Sequence, residues 1–153
     1  MITIKNILCP IDYSIYSEMA LKYAIEFAEK YQAKLYLMHV LDIRIYEIND
    51  PGLYNINVVD NETIDKLRER LLKCVNEDTK GRIPVEALII QGVPFAEIIS
   101  ASKEYKIDLI VLGTHGRTGL SHAIMGSVAE KVVRKAPCPV LTIRHPEHDF
   151  IMP

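Results

Sequence analysis

The sequence lacks tryptophan altogether, and it has only three phenylalanines and three cysteines among its 153 residues. It also lacks a net positive charge, since the formal charge is −2 at pH 7, and this excludes the basic surface typical of nucleic-acid-binding domains. No stretch approaches the roughly 18 consecutive apolar residues of a membrane-spanning helix. We therefore expect neither nucleic acid nor a membrane as a partner. What is present, 49% hydrophobic and 25% charged residues, predicts one domain with a proper buried core.

The three cysteines, Cys9, Cys74 and Cys138, cannot all pair, and none has the Cys-x-x-Cys spacing. Cys9 and Cys138 lie in apolar runs, where a free thiol behaves as a small buried hydrophobe. This pattern favours a cytoplasmic location. The N-terminus is expected to be a first strand rather than a signal peptide. The histidines are scattered without metal-ligand spacing, so no transition-metal site is expected.

Apolar runs alternate with helical patterns along the whole chain. The runs predict five strands at residues 4–11, 34–41, 84–90, 108–112 and 139–143. Strand–helix alternation of this kind predicts an α/β fold, a parallel sheet with helices on both faces. The residues alone leave two doubly wound strand orders open, and in both the ligand binds outside the carboxyl ends of the strands.

Helix starts are marked by capping residues. Ser14 or Ser17 caps the first helix, Asp60 or Asn61 starts the second, and Pro94 takes the first position of the third. The fourth helix is predicted from residue 127 to 136, because Pro137 must end it. The predicted buried stripe of the first helix consists of Ala20, Tyr23, Ala24, Phe27, Ala28 and Tyr31.

The most informative motif follows the fourth strand. Gly113 and Gly116 are separated by two residues, and after nine intervening residues come Gly126 and Ser127 at a predicted helix start. Glycines allow close backbone approach and positive φ, and the N–H groups of a helix N-terminus attract anions. A glycine pair alone would be equally consistent with a turn, but the third glycine with its serine favours binding of a phosphorylated ligand. If strands one and four are neighbours, Asp12 lies in the same crevice.

With this motif the chain resembles the universal stress protein family, in its ATP-binding branch. The resemblance also rests on residues 7–14, 35–40, 125–132 and 136–141. It implies a Rossmann-like, adenine nucleotide alpha hydrolase-like fold with five parallel strands in the order 3-2-1-4-5. It implies a single domain over residues 1–144 with a C-terminal tail at 145–153. It further implies a homodimer that pairs through the last strand, residues 139–143.

The resemblance also implies a set of nucleotide contacts and an ATP ligand, with Mg²⁺ or Mn²⁺ bridging its phosphates. Adenine and ribose would be surrounded by Pro10, Ile11, Asp12 and Val40. Ribose and α-phosphate would be bordered by Gly113, His115, Gly116 and Arg117. The β- and γ-phosphates would be held by Gly126, Ser127, Val128 and Ala129.

Two of these residues, and three others along the chain, also have structural interpretations. Asp12 is also placed to cap the first helix, and His115 is as consistent with a surface loop as with a phosphate neighbour. His39 is predicted to be a hydrogen-bonded core or interface histidine, and His122 a solvated loop residue. Ser14 is predicted to be a helix cap rather than a nucleophile.

Function is predicted as an ATP-binding stress-response or regulatory module acting with a protein partner that the sequence does not identify. No Gly-x4-Gly-Lys-Ser/Thr loop is present, and Arg117 is the one fixed cation near the motif, so dedicated catalysis is not expected. The alternatives are a slow ATPase or nucleotidyl-transfer enzyme with an unidentified second substrate, and a nucleotide-independent scaffold. The connection 42–60 lacks periodicity and is predicted to be a lid over the nucleotide, or else a disordered or dimer-packing insertion.

Overall fold

The computed structural model describes residues 1–44, 59–79, 81–116 and 125–144, with the backbone alone at 76–78. Its five strands are β1 (Asn6–Pro10), β2 (Lys34–Asp42), β3 (Val85–Gly92), β4 (Leu109–Gly113) and β5 (Val140–Ile143). All neighbours pair in parallel, in the order β3-β2-β1-β4-β5. The predicted fold class and strand order are confirmed. The tail 145–153 and most of the predicted lid, residues 45–58, lie outside the described residues.

Central position in the sheet makes β1 the strand that organises the site. Ile7 of β1 pairs with Leu35 of β2 on one side and with Leu109 of β4 on the other. Because the three strands run parallel, their carboxyl ends meet at one edge of the sheet. The residues that follow β1 and β4 therefore lie close together.

Alternate residues of the strands enter two separate cores. Ile7 and Cys9 pack in the core beneath α1 (Ile15–Tyr31) and α2 (Asn61–Thr79). Leu8 packs in the opposite core, beneath α3 (Pro94–Glu104) and α4 (Ser127–Lys135). This alternation is the two-residue period of a strand that is buried on both faces. Within the described residues, no helix is long and apolar enough to cross a membrane.

The helix caps resolve the choices that the sequence left open. Ser14 caps α1, since its side chain accepts a hydrogen bond from the backbone N–H of Ser17. Asp60 caps α2, since its carboxylate accepts a hydrogen bond from the backbone N–H of Thr63 at 2.7 Å. Pro94 lies at the first position of α3, as predicted.

Two details of the sequence interpretation are wrong. Tyr23 and Tyr31 of α1 are 48% and 40% exposed, and the helix buries Leu21 and Ile25 instead. The two tyrosines share the helical spacing of the buried alanines, but Tyr31 is the last residue of α1 and both side chains remain exposed. The third strand was predicted to end at residue 90, yet Gln91 and Gly92 also pair with β2.

Candidate functional site

A cavity of about 330 Å³ opens at the carboxyl edge of β1, β2 and β4. Its wall combines three strand ends, the loop after β4 and the first residues of α3 and α4. The lining residues are Pro10, Ile11, Asp12, Ser17, Met38, His39, Val40, Asp42, Arg44, Pro94, Ile98, Leu112, Gly113, Thr114, His115, Gly116, Gly126, Ser127, Val128 and Ala129.

Asp12 lies directly after β1 and organises the entry into α1. Its Oδ1 accepts hydrogen bonds from the backbone N–H of Ser14 at 2.9 Å and from the Ser14 hydroxyl. Ser14 in turn accepts the hydrogen bond that caps the helix, so Asp12 supports the cap without being the cap. The carboxylate is thereby fixed in position on the cavity wall.

His39 holds the backbone just before Asp12. Its Nδ1 is 2.8 Å from the carbonyl oxygen of Ile11, and the side chain is buried. A carbonyl oxygen only accepts, so Nδ1 carries the proton in this contact. The imidazole also lies 4.9 Å from the ring of Tyr13, whose φ of 63° is in the left-handed region. The prediction of a hydrogen-bonded core histidine is confirmed.

Gly113 and Gly116 are sites of close approach within the protein. A Cβ on Gly113 would lie 2.8 Å from Cβ of Tyr16, so this glycine lets α1 pack against the end of β4. A Cβ on Gly116 would lie 2.8 Å from Oδ2 of Asp12. The glycine loop and the Asp12 carboxylate are therefore in direct contact, as predicted if strands one and four are neighbours.

Gly126 joins the same loop to α4. Its N–H donates to the carbonyl oxygen of Thr114 at 2.6 Å, and a Cβ here would lie 3.2 Å from that oxygen. Its φ is −67°, and of the described glycines only Gly81 has a positive φ. The expectation that the motif glycines supply positive φ is wrong for these three. At Gly113 and Gly116 the neighbouring atoms leave no room for a Cβ, whereas at Gly126 the contact with Thr114 would only be tight.

The N-terminus of α4 faces the cavity without a side-chain cap. Gly126 is its N-cap and offers no acceptor, whereas α1 is capped by Ser14. The first N–H groups of a helix have no partner within the helix. Ser127, Val128 and Ala129 line the cavity, so these donors and the positive end of the helix dipole are available to an anion there.

His115 lies inside this loop rather than on the surface. It is buried, its Nδ1 is 3.0 Å from Oγ1 of Thr114, and its ring centroid is 5.3 Å from that of Tyr16. The imidazole also lines the cavity. This position favours a role at the site over the surface interpretation.

Asp42 and Arg44 lie on the cavity wall and were missed by the sequence interpretation. The Arg44 guanidinium donates to both carboxylate oxygens of Asp42, at 2.8 and 2.6 Å. The hydrogen bonds from Arg44 hold the pKa of Asp42 below its usual value, and the same pairing raises the pKa of Arg44. The signal was available, because Asp42 ends β2 as Asp12 follows β1.

The structure brings together every predicted contact residue that it describes; Arg117 and His122 lie outside the described residues. That these residues contact a nucleotide stays a prediction. The remaining wall combines apolar residues, Met38, Pro94, Ile98 and Leu112, with polar ones, Ser17, His39, Asp42, Arg44 and Thr114. In the described part of the chain, no group of three or more His, Cys, Asp or Glu side chains is placed to hold a metal ion.

Comparison with known proteins decides the family. Residues 3–144 match the universal stress protein family. The chain belongs to the universal stress protein family. Universal stress protein MJ0531 of Methanocaldococcus jannaschii is 32% identical over 145 residues, which cover 95% of this chain and 85% of the relative.

Solved structures of family members share the fold. The chain is similar to MJ0577, also of M. jannaschii, with 28% identity, a TM-score of 0.80 and coverage of 95% of this chain and 99% of that chain. It is also similar to the universal stress protein from Archaeoglobus fulgidus in complex with dAMP. That structure is 26% identical, with a TM-score of 0.63 and coverage of 94% of this chain and 99% of that chain.

Proposed function

We propose that this universal stress protein binds ATP and acts as a nucleotide-dependent regulatory module in a stress response. The observation that carries the proposal is the uncapped N-terminus of α4, which shares one cavity with the Gly113–Gly116 loop and Asp12. Such a terminus is a natural site for a phosphate group. The dAMP complex of the A. fulgidus relative supports an adenine nucleotide as the ligand.

The proposed pose follows the cavity from β2 to β4. Adenine and ribose lie against residues 10–12 and the backbone of Val40, with the Asp12 carboxylate accepting hydrogen bonds from ribose hydroxyls. The α-phosphate lies beside residues 113–116, and the outer phosphates at the N–H groups of residues 127–129. A Mg²⁺ or Mn²⁺ ion would bridge the phosphates, which needs few protein ligands because phosphates and water supply the rest.

We propose binding rather than turnover as the function. Oδ1 of Asp12 is already engaged by Ser14, and Nδ1 of His115 by Thr114. These contacts support a role for both side chains in positioning the loops and the ligand rather than in proton transfer. A slow ATPase or nucleotidyl-transfer enzyme remains the alternative.

Calorimetric titration with ATP and Mg²⁺ tests the proposal, followed by incubation with ATP labelled at the γ-phosphate. We expect saturable binding at one site per chain and release of much less than one phosphate per chain per minute. Absence of binding would contradict the proposal, and many rapid turnovers per chain would favour the enzymatic alternative.

We further propose a homodimer joined through β5, which is an edge strand of the sheet. The carbonyls of Pro139 and Ile143 bond to β4, through the N–H groups of Ile110 and Thr114. Alternate residues of a strand direct their backbone groups to opposite sides, so those of Val140 and Thr142 are directed outward. The same strand of a second copy of the chain would satisfy these groups by pairing with β5 across a twofold contact.

The three unpaired cysteines support a cytoplasmic location.

A further inference from the structure

The proposed nucleotide site has two ends that belong to different strands. The helix terminus of α4 is bonded to the loop after β4, through Gly126 and Thr114. Asp42 and Arg44 lie at the end of β2, and β1 separates β2 from β4. Neighbouring strands lie about 4.8 Å apart, so the two ends are on the order of 10 Å from each other. A nucleotide with its phosphates at α4 therefore places its base toward Arg44.

Arg44 is held in a fixed orientation at this end. Three hydrogen bonds join it to the Asp42 carboxylate: Nε at 2.8 Å, a terminal nitrogen at 2.6 Å and the backbone N–H at 3.0 Å. The Asp42 side chain is only 16% exposed, whereas that of Arg44 is 47% exposed. The side-chain hydrogen bonds use N–H groups at the edge of the planar guanidinium. Stacking uses the face of the plane, so the two interactions do not compete.

The charge of this pair argues against a phosphate contact. Asp42 compensates the positive charge of Arg44 at hydrogen-bond distance, and the pairing stabilises both ionised forms. A compensated guanidinium attracts a polyphosphate less than a lone cation would. The nearby wall is apolar, with Val40, Pro94 and Ile98 lining the same cavity. Apolar side chains and a guanidinium plane suit an aromatic base.

We propose that Arg44, oriented by Asp42, stacks on the face of the nucleotide base and closes the base end of the cavity. The inference rests on the proposed nucleotide binding and adds a residue that selects for ligands carrying a base. Arginine stacks on aromatic and nucleobase rings through its delocalised plane. Arg44 then contributes to affinity only when a base is present.

Two ligands separate a base contact from a phosphate contact. The affinities of the wild type, Arg44→Ala and Arg44→Lys for ATP and for ribose 5-triphosphate, which has no base, are measured at one salt concentration. Arg68→Ala is the matched control, because Arg68 also pairs with a carboxylate, Asp65 at 2.9 Å, on the exposed face of α2. We expect Arg44→Ala to weaken ATP binding about 3- to 30-fold and to leave ribose 5-triphosphate within about twofold.

Each outcome bears on a different claim. Unchanged ATP affinity in Arg44→Ala, or an equal loss for both ligands, would overturn the stacking role while leaving ATP binding intact. Full recovery of ATP affinity by Arg44→Lys would also overturn it, because an ammonium keeps the charge without the plane. Failure of the wild type to bind ATP would contradict the proposed function itself, and the stacking role with it.

Discussion

Replacement of Gly116 by alanine tests the contact between the glycine loop and Asp12. The added Cβ would lie 2.8 Å from Oδ2 of Asp12, whereas ordinary contacts begin at 3.4 Å, so the atoms must separate by 0.6 Å (3.4 − 2.8). The carboxylate is not free to turn away, because its Oδ1 accepts two hydrogen bonds from Ser14. Either Asp12 shifts and weakens those bonds, or the loop moves away from the cavity.

Both responses should weaken ATP binding more than folding. A hydrogen bond to a charged group contributes about 1.5–3 kcal/mol. Partial loss of one or two of the bonds that the Asp12 carboxylate is proposed to accept from ribose therefore lowers ATP affinity by about tenfold or more. The loss in unfolding free energy should be about 1 kcal/mol, because the loop lies at the rim of the sheet. Calorimetric titration gives the affinity, and urea denaturation gives the unfolding free energy.

Gly81→Ala is the matched control for this experiment. Gly81 has a φ of 73° and no atom within 4 Å of an added Cβ, and it lies between α2 and β3, away from the cavity. Alanine there should cost about 1 kcal/mol of stability through backbone strain and leave ATP affinity unchanged. Equal ATP affinity for folded Gly116→Ala and the wild type would refute the reasoning, as would an equal loss in both variants.

Two further predictions concern the edge strand and the thiols. Thr142→Pro should weaken self-association, because it removes an outward N–H at the edge of β5 without touching the bonds to β4; a wild type that sediments as a monomer at high micromolar concentration would contradict the dimer. Leu141→Lys is a less specific probe, since Leu141 packs against the core beneath α1. Iodoacetamide at pH 8 should label exposed Cys74 and spare Cys9, because complete burial raises the pKa of the Cys9 thiol and keeps it protonated. Mass spectrometry of native and unfolded protein checks this, and equal labelling in the native state would count against the core assignment.

Local patterns predicted the elements because each pattern has a local physical cause. The cap of α1 at Ser14 and the proline start of α3 depend on backbone groups within a few residues. The exposure of Tyr23 could not be predicted in this way, because helical spacing alone placed it with the buried alanines. Periodicity shows which face of the helix is apolar, but not how much of that face the rest of the protein covers.

The position of the site could be predicted from the rule that ligands bind outside the carboxyl ends of parallel strands. The family resemblance implied that strands one and four are neighbours, which puts Asp12 beside the glycine motif. The contact between Gly116 and Asp12 agrees with that placement. The role of Gly113 depends on Tyr16, which is nearly a hundred positions away in the chain, so spacing alone does not show it. Arg44 was missed because its segment has no periodicity, and the sequence does not show that it pairs with Asp42 on the cavity wall.

The central claim is that ATP binds with its phosphates at the N-terminus of α4. Backbone amide chemical shifts of the ¹⁵N-labelled protein, recorded during titration with ATP and Mg²⁺, test it most directly. The account predicts saturable shifts at Ser127, Val128 and Ala129, together with Gly113, Gly116 and Asp12. AMP, which lacks the outer phosphates, should shift Ser127, Val128 and Ala129 far less at the same concentrations. Absence of shifts at Ser127–Ala129 under saturating ATP, or shifts confined to the opposite edge of the sheet near Gly81, would contradict it.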